Sequence, residues 1–321
     1  MKSNLRIRGL IFGMLLAALA LAAAGQSATS EHREGPSKPK SEYFNAARML
    51  KDIEYLASDE LEGRSADRES IAKARGFVER RFAESGLVPI GNTYRQDIEI
   101  TERGGERKLA GVNFIGQIKG DKNPDKYIVI SAHYDHVGVR NGEIYNGADD
   151  NASGTAALFA LAEYFSRNRP EHSLVFVAFD AEERGLQGAR HFVGNLPVAK
   201  GSILLNVNMD MLSRSDKGEL YAAGAHHYLQ FRPMLEAMQK KARVKLLLGH
   251  DDPELGSDDW TNQSDHGAFH RIGIPFIYFG VEDHKDYHKP TDDFANIHPE
   301  FYVRAVETVI EALKIIDSAQ K

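Results

Sequence analysis

The 321-residue sequence contains no cysteine, which excludes a disulfide framework, lipid attachment at a thiol, and thiolate metal ligands. Any metal site must therefore be built from His, Asp and Glu, an oxygen and nitrogen environment that suits zinc, manganese or cobalt. An excess of positive charge is missing too: 40 Lys and Arg face 46 Asp and Glu, for a formal net charge of -6. That balance argues against nucleic acid as a partner. Long apolar runs are scarce. The one from Leu10 to Ala24 falls short of the roughly 20 residues that span a bilayer comfortably, and no internal repeat is visible.

What stands at the N-terminus gives that run a meaning. Lys2, Arg6 and Arg8 precede it and Ala22, Ala23 and Ala24 end it, the charged, apolar and small-residue regions of a secretory signal peptide over residues 1–24. Loss of that segment removes three positive charges and no acid, taking the formal charge from -6 to -9. The expectation is an exported protein, periplasmic or secreted, with no stable membrane insertion after cleavage; an uncleaved anchor is the alternative. Residues 25–41, rich in Ser, Glu, Lys, Pro and Gly, read as a flexible linker. One domain over residues 42–321 follows.

Within that domain helical spacing marks residues 44–57 and a stripe of Ile71, Ala74, Phe77, Val78 and Phe82, with a turn at Leu61-Glu62-Gly63-Arg64 between them. Strand patterns cover 96–100, 109–118 and 127–131. The chain then alternates: helix 151–165, strand 173–179, helix 186–193, strand 203–207, helix 228–242, strand 275–279, and a closing helix with Val306, Val309, Ile310, Leu313 and Ile316 on one stripe. Alternation of this kind predicts an α/β fold with a mixed, centrally parallel β-sheet and helices on both faces.

Ligands in such sheets sit beyond the carboxyl ends of the strands, and those positions here are rich in metal-ligating types. Ala132-His133-Tyr134-Asp135-His136, Asp180-Ala181-Glu182-Glu183 and Asn208-Met209-Asp210 each follow an apolar strand. A fourth segment, Asn146-Gly147-Ala148-Asp149-Asp150-Asn151, carries adjacent carboxylates at a helix entrance, where Asp150 or Asn151 reads equally as an N-cap. A fifth is Asp286-Tyr287-His288-Lys289-Pro290-Thr291-Asp292-Asp293.

Together these segments resemble the di-zinc aminopeptidase family, whose relatives include aminopeptidase Y and the glutamate carboxypeptidase II group; the likeness runs from about Leu56 to the C-terminus. It implies a zinc-exopeptidase fold of the phosphorylase/hydrolase-like type. It also implies two Zn2+, with Co2+ or Mn2+ as substitutes, held by His133, Asp149, Glu183, Asp210 and His288. Asp149 would bridge the metals, His133 and Asp210 completing one and Glu183 and His288 the other. Glu182 would be the base that takes a proton from the bridging water and passes it to the leaving amine. Asp135 and Asp292 would orient His133 and His288, and Tyr287 reads equally as a donor to the developing oxyanion or as a packed tyrosine. Peptide substrates cleaved at the N-terminus follow.

Three alternatives share that fold: a glutaminyl cyclase-like acyltransferase with one zinc, a carboxypeptidase, and a non-catalytic binding relative. His136 and His284 read as surface or structural histidines, Trp260 as packing, and Asp265 and His266 as neighbours of the site without a catalytic step. Oligomeric state is not legible.

Overall fold

An unbroken apolar run such as Leu174–Phe179 suits a strand covered on both faces, and all eight residues of β7 (His172–Phe179) are buried. The computed structural model describes residues 39–102 and 104–320. The expected signal peptide and nearly all of the linker lie outside the described residues. Among those described, the remaining sheet strands are β1 (Val88–Pro89), β2 (Arg95–Thr101), β3 (Lys108–Ile118), β4 (Asn123–His133), β8 (Ile203–Met209), β9 (Glu219–Ala223), β10 (Lys245–Leu248) and β11 (Phe276–Gly280). They form a nine-stranded sheet ordered β1-β3-β7-β4-β8-β11-β9-β10, with β2 pairing β3. Its centre, β7-β4-β8-β11, is parallel; β3 and β9 run antiparallel to their inner neighbours. A small hairpin, β5 (Gly138–Arg140) with β6 (Glu143–Tyr145), stands apart.

Alternation along the strands divides the core. Ile128, Ile130, Leu174 and Phe176 pack on one face with α1 (Ala46–Leu56), α2 (Ile71–Glu84), α3 (Gly154–Arg167), α5 (Arg232–Gln239) and α7 (Pro299–Ala319). Val129, Val175, Val177 and Phe179 pack on the other with α4 (Gln187–Gly194) and α6 (His266–Arg271). Each such side chain contributes about 1.5–3 kcal/mol when fully buried. The expected fold class, with helices on both faces, is the one observed. The strands β9 and β10 at one end of the sheet have no clear periodicity in the sequence, and the helix expected over 228–242 is shortened to a 3-10 turn followed by α5. No helix among the described residues is long and apolar enough to cross a membrane.

Candidate metal centre

Parallel strands that end together bring their following loops to one edge of the sheet. His133 is the last residue of β4, Asp210 follows β8 directly, and Glu182 and Glu183 lie three and four residues beyond β7. The loop after β11 supplies His288, which takes a left-handed backbone (φ 52°). Two sets of potential ligand atoms result, each within 4.8 Å of one another: His133, Glu182 and Asp210 in one, and His136, Asp150, Glu183 and His288 in the other.

Asp150 lies between them. Its Oδ1 is 3.4 Å from His133 Nε2, and its Oδ2 is 2.9 Å from His288 Nε2 and 3.7 Å from His136 Nδ1. His133 Nε2 also approaches Asp210 Oδ1 at 3.2 Å, and His288 Nε2 approaches Glu183 Oε1 at 3.1 Å. Asp149, the expected bridge, turns away. Its Oδ1 accepts from the Ser213 N–H at 2.6 Å and the Ser213 hydroxyl at 2.8 Å, and its Oδ2 lies 3.1 Å from His284 Nε2. The position between the two sets is thus occupied by the second carboxylate of the pair, and the first ties down the loop after β8. The capping alternative resolves in the same segment: Asn151 Oδ1 accepts from Gly154 N–H at 2.8 Å at the start of α3, leaving Asp150 free.

Both expected orienting carboxylates have other partners. His133 Nδ1 faces the backbone carbonyl of Asp135 at 3.2 Å, whereas the Asp135 carboxylate is 3.6 Å away. That carboxylate instead accepts the backbone N–H groups of Glu182 at 3.0 Å and Glu183 at 3.3 Å. The main-chain carbonyl therefore selects the tautomer that points Nε2 at the cluster, and the side chain fixes the paired glutamates. Asp292 likewise accepts from the N–H groups of Asp149 at 2.9 Å and Asp150 at 3.1 Å. It positions the bridge segment rather than His288. Tyr287 stacks on the His288 ring, centroids 4.0 Å apart, and borders the same small cavity as Glu182.

Two residues of the site carried no distinct sequence signal. Arg64 is fully buried and donates to the carbonyls of Tyr134 at 2.7 Å, Asn146 at 2.6 Å and Gly147 at 2.9 Å, tying the loop after β4 to the segment before Asp149. Burial lowers this guanidinium to about 10, against the opposing pull of Asp150 and Asp292. His136, read as bland, sits inside the second ligand set. Its ring lies against Gly147, where a Cβ would come within 2.5 Å of it, and Gly147 has φ 57°. A glycine there lets the bridge segment pass over the imidazole.

The electrostatics reflect crowded carboxylates. Burial alone would raise Asp150, but the surrounding His136, His133 and His288 hold it well below the usual carboxylate range. Burial works against protonation of His288, yet Asp150 and Glu183 push it up to about 10. Burial pushes Glu182 well above the ordinary glutamate range; His133 opposes this, and Asp265 and Asp210 add to it. Among the described residues, His136 Nδ1 and Nε2 and Glu183 Oε1 are buried without a hydrogen-bond partner. Orphaned donors and acceptors that converge in this way, with imidazole and carboxylate types alone, fit a divalent cation.

Two cavities flank the cluster. A cleft of about 630 Å³ opens on the side of His136, Glu183 and His288, with Arg140 and Arg184 in its wall. A smaller one of about 70 Å³ is bordered by Glu182, Asp210 and Asp283 together with Met211, Trp260 and Val281.

The sequence matches the profile of Peptidase family M28 over residues 113–313. A probable zinc metalloprotease of Pyrenophora tritici-repentis is 27% identical over 230 residues, covering 62% of this chain and 51% of the relative. Aminopeptidase YwaD of Bacillus subtilis is 30% identical over 215 residues, covering 63% and 44%. The chain thus spans about half the length of the curated relatives it matches. Among solved structures, an aminopeptidase from Aneurinibacillus sp. strain AM-1 superposes with a TM-score of 0.66 at 19% identity, covering 84% of this chain and 93% of that one. A glutaminyl cyclase from Porphyromonas gingivalis gives 0.67 at 19%, covering 85% and 99%. At that identity both likenesses speak for the fold alone.

Proposed function

The chain belongs to Peptidase family M28, and from that premise we propose that it is an exported, two-zinc aminopeptidase acting on peptides with a free N-terminus. The observation that carries the reading is the Asp150 carboxylate, each of whose oxygens faces a different set of His and carboxylate ligands. In this reading Asp150 bridges, His133 and Asp210 complete one metal position, and Glu183 and His288 serve the other. Zn2+ held by these residues would supply Lewis-acid polarisation of a water and of the scissile carbonyl.

The chain's own groups do the rest. Glu182 accepts the proton of the attacking water and delivers it to the departing amine, its place beside Asp210 at the small cavity suiting both transfers. Tyr287, beside His288 at the same cavity, donates to the oxygen that gains charge. The small cavity supports the choice of terminus. Carboxylates of Asp210, Glu182 and Asp283 border it with Met211, Trp260 and Val281, and no Lys or Arg does. A substrate ammonium with an apolar side chain is welcome there, whereas a substrate carboxylate is repelled. Export is supported by the N-terminal charged and apolar pattern.

The decisive experiment measures metal content per purified chain together with hydrolysis of aminoacyl and N-acetylated aminoacyl reporters, before and after chelation. Two metals and chelator-sensitive cleavage of the free-amine reporters alone are expected. One metal with cyclisation of N-terminal glutamine in place of hydrolysis would move the protein to the cyclase chemistry, and no turnover to a binding role.

A further inference from the structure

We propose that His136 is a protein ligand to the cation held by Asp150, Glu183 and His288, so that this position is closed by four protein donors while the His133–Asp210 position stays open. The inference rests on the two-metal reading above and adds to it a difference in affinity between the metals.

The geometry of the four donors is the first ground. Around one cation, zinc with bonds of about 2.0–2.1 Å gives a tetrahedron whose edges are about 3.3 Å. Four edges can be read here. His136 Nδ1 lies 2.9 Å from Glu183 Oε1 and 3.7 Å from Asp150 Oδ2, and His288 Nε2 lies 3.1 Å and 2.9 Å from the same two oxygens. The other set has no such fourth member free for coordination. His133 approaches Asp210 and Asp150, and its remaining neighbour is Glu182, the group assigned to proton transfer.

Burial is the second ground. His136 is 1% exposed, and neither ring nitrogen has a hydrogen-bond partner among the described residues. Its Nδ1 lies 2.9 Å from Glu183 Oε1, an oxygen likewise without a hydrogen-bond partner among the described residues. A buried imidazole and a buried carboxylate brought this close are well served by a cation between them. The ring is also held in place: the Gly147 backbone packs against it, and the His288 ring lies edge-on at 5.7 Å.

A position with four protein donors binds a cation more tightly than one with fewer. The first metal to bind would then be the Glu183–His288 one.

The test uses the full chain stripped of metal and titrated with Co2+, whose visible absorption reports coordination number, and with Zn2+ against a competing chelator. Two equivalents with separable affinities are expected for the unaltered protein. In His136→Ala the tighter step weakens at least tenfold and its four-coordinate Co2+ spectrum is lost, while the weaker step is unchanged. His136→Gln keeps a hydrogen-bonding group of similar reach but loses the imidazole, and it should behave as His136→Ala does. If His136→Gln instead retains the affinity and the spectrum, His136 only props Glu183 and the ligand assignment is overturned. If the unaltered protein binds a single equivalent, the two-metal reading fails; dependence of that one equivalent on His136 would still uphold the ligand, and independence would remove it. Circular dichroism and unfolding midpoints of the metal-free forms show that the variants fold.

Discussion

Two regions of this protein bury charge, and they do so in opposite ways. Between α1, α2 and α3, Arg81 is saturated: it donates to both oxygens of Asp52 at 2.9 and 2.8 Å, to Glu163 at 3.0 Å, and lies 5.0 Å above the Phe159 ring. At the carboxyl edge of the sheet, Asp150, Glu182, Glu183 and Asp210 crowd around three histidines, and atoms of His136 and Glu183 have no hydrogen-bond partner among the described residues. The first arrangement neutralises itself with the groups at hand, and its work is to join helices. The second leaves converging donors and acceptors unpaired, an arrangement that suits a cation. Burial of charge alone does not mark a site; convergent, unsatisfied charge does.

Substitutions can break that contrast. The largest effect is expected for Asp150→Asn, which removes the carboxylate shared by both ligand sets: metal analysis should show loss of at least one equivalent, and activity should fall on the order of 10⁴-fold or more. Asp149→Asn is the paired control, retaining metal and costing about 1–3 kcal/mol of stability through the Ser213 and His284 contacts. A reversal of the two phenotypes would restore Asp149 as the bridge. Next, Glu182→Gln should keep full metal occupancy while kcat drops about 10²–10⁴-fold; near-normal turnover in steady-state assays would end its assignment as base.

On the other side of the comparison, Arg81→Leu strands Asp52 and Glu163. Urea unfolding should register a loss of about 3–5 kcal/mol, with metal affinity and kcat of the folded protein unchanged.

The smallest effect concerns a buried group that solves the problem by staying neutral. His266 offers Nε2–H to the Trp260 carbonyl at 2.9 Å, and burial lowers it from 6.5 to about 3. Its folded-state proton affinity is depressed, so its stability is complete above about pH 6.5 and is lost as the pH falls toward 3. Between pH 7 and pH 5 the loss should be about 2 kcal/mol, and His266→Gln should flatten that part of the curve; an unchanged slope would mean that other groups govern acid sensitivity.

Much of this was legible in the chain. The β4, β7 and β11 strands declared themselves by apolar runs, β8 by one interrupted at Asn206, and α7 by its stripe, because burial on two faces or one leaves a trace in the sequence. The strands β9 and β10 at one end of the sheet did not, being short and only partly covered. At the site, His133, Glu182 and Asp210 fall in one group of potential ligand atoms and Glu183 and His288 in the other. His136 was passed over because a single histidine near a motif carries no periodicity, and Arg64 because its partners are backbone carbonyls as far as 83 residues away in sequence.

The sequence by itself determined the chemical vocabulary and where it would gather: no thiols, hence nitrogen and oxygen ligands, set immediately after strands whose apolar character made them neighbours in a parallel sheet. The tertiary structure alone decided which of two adjacent aspartates faces the cluster. Neighbouring side chains leave the backbone in different directions, and the direction each takes here was fixed by distant partners: Ser213 and His284 capture Asp149, while the Asp292 carboxylate holds both backbone N–H groups and leaves the Asp150 side chain to the histidines.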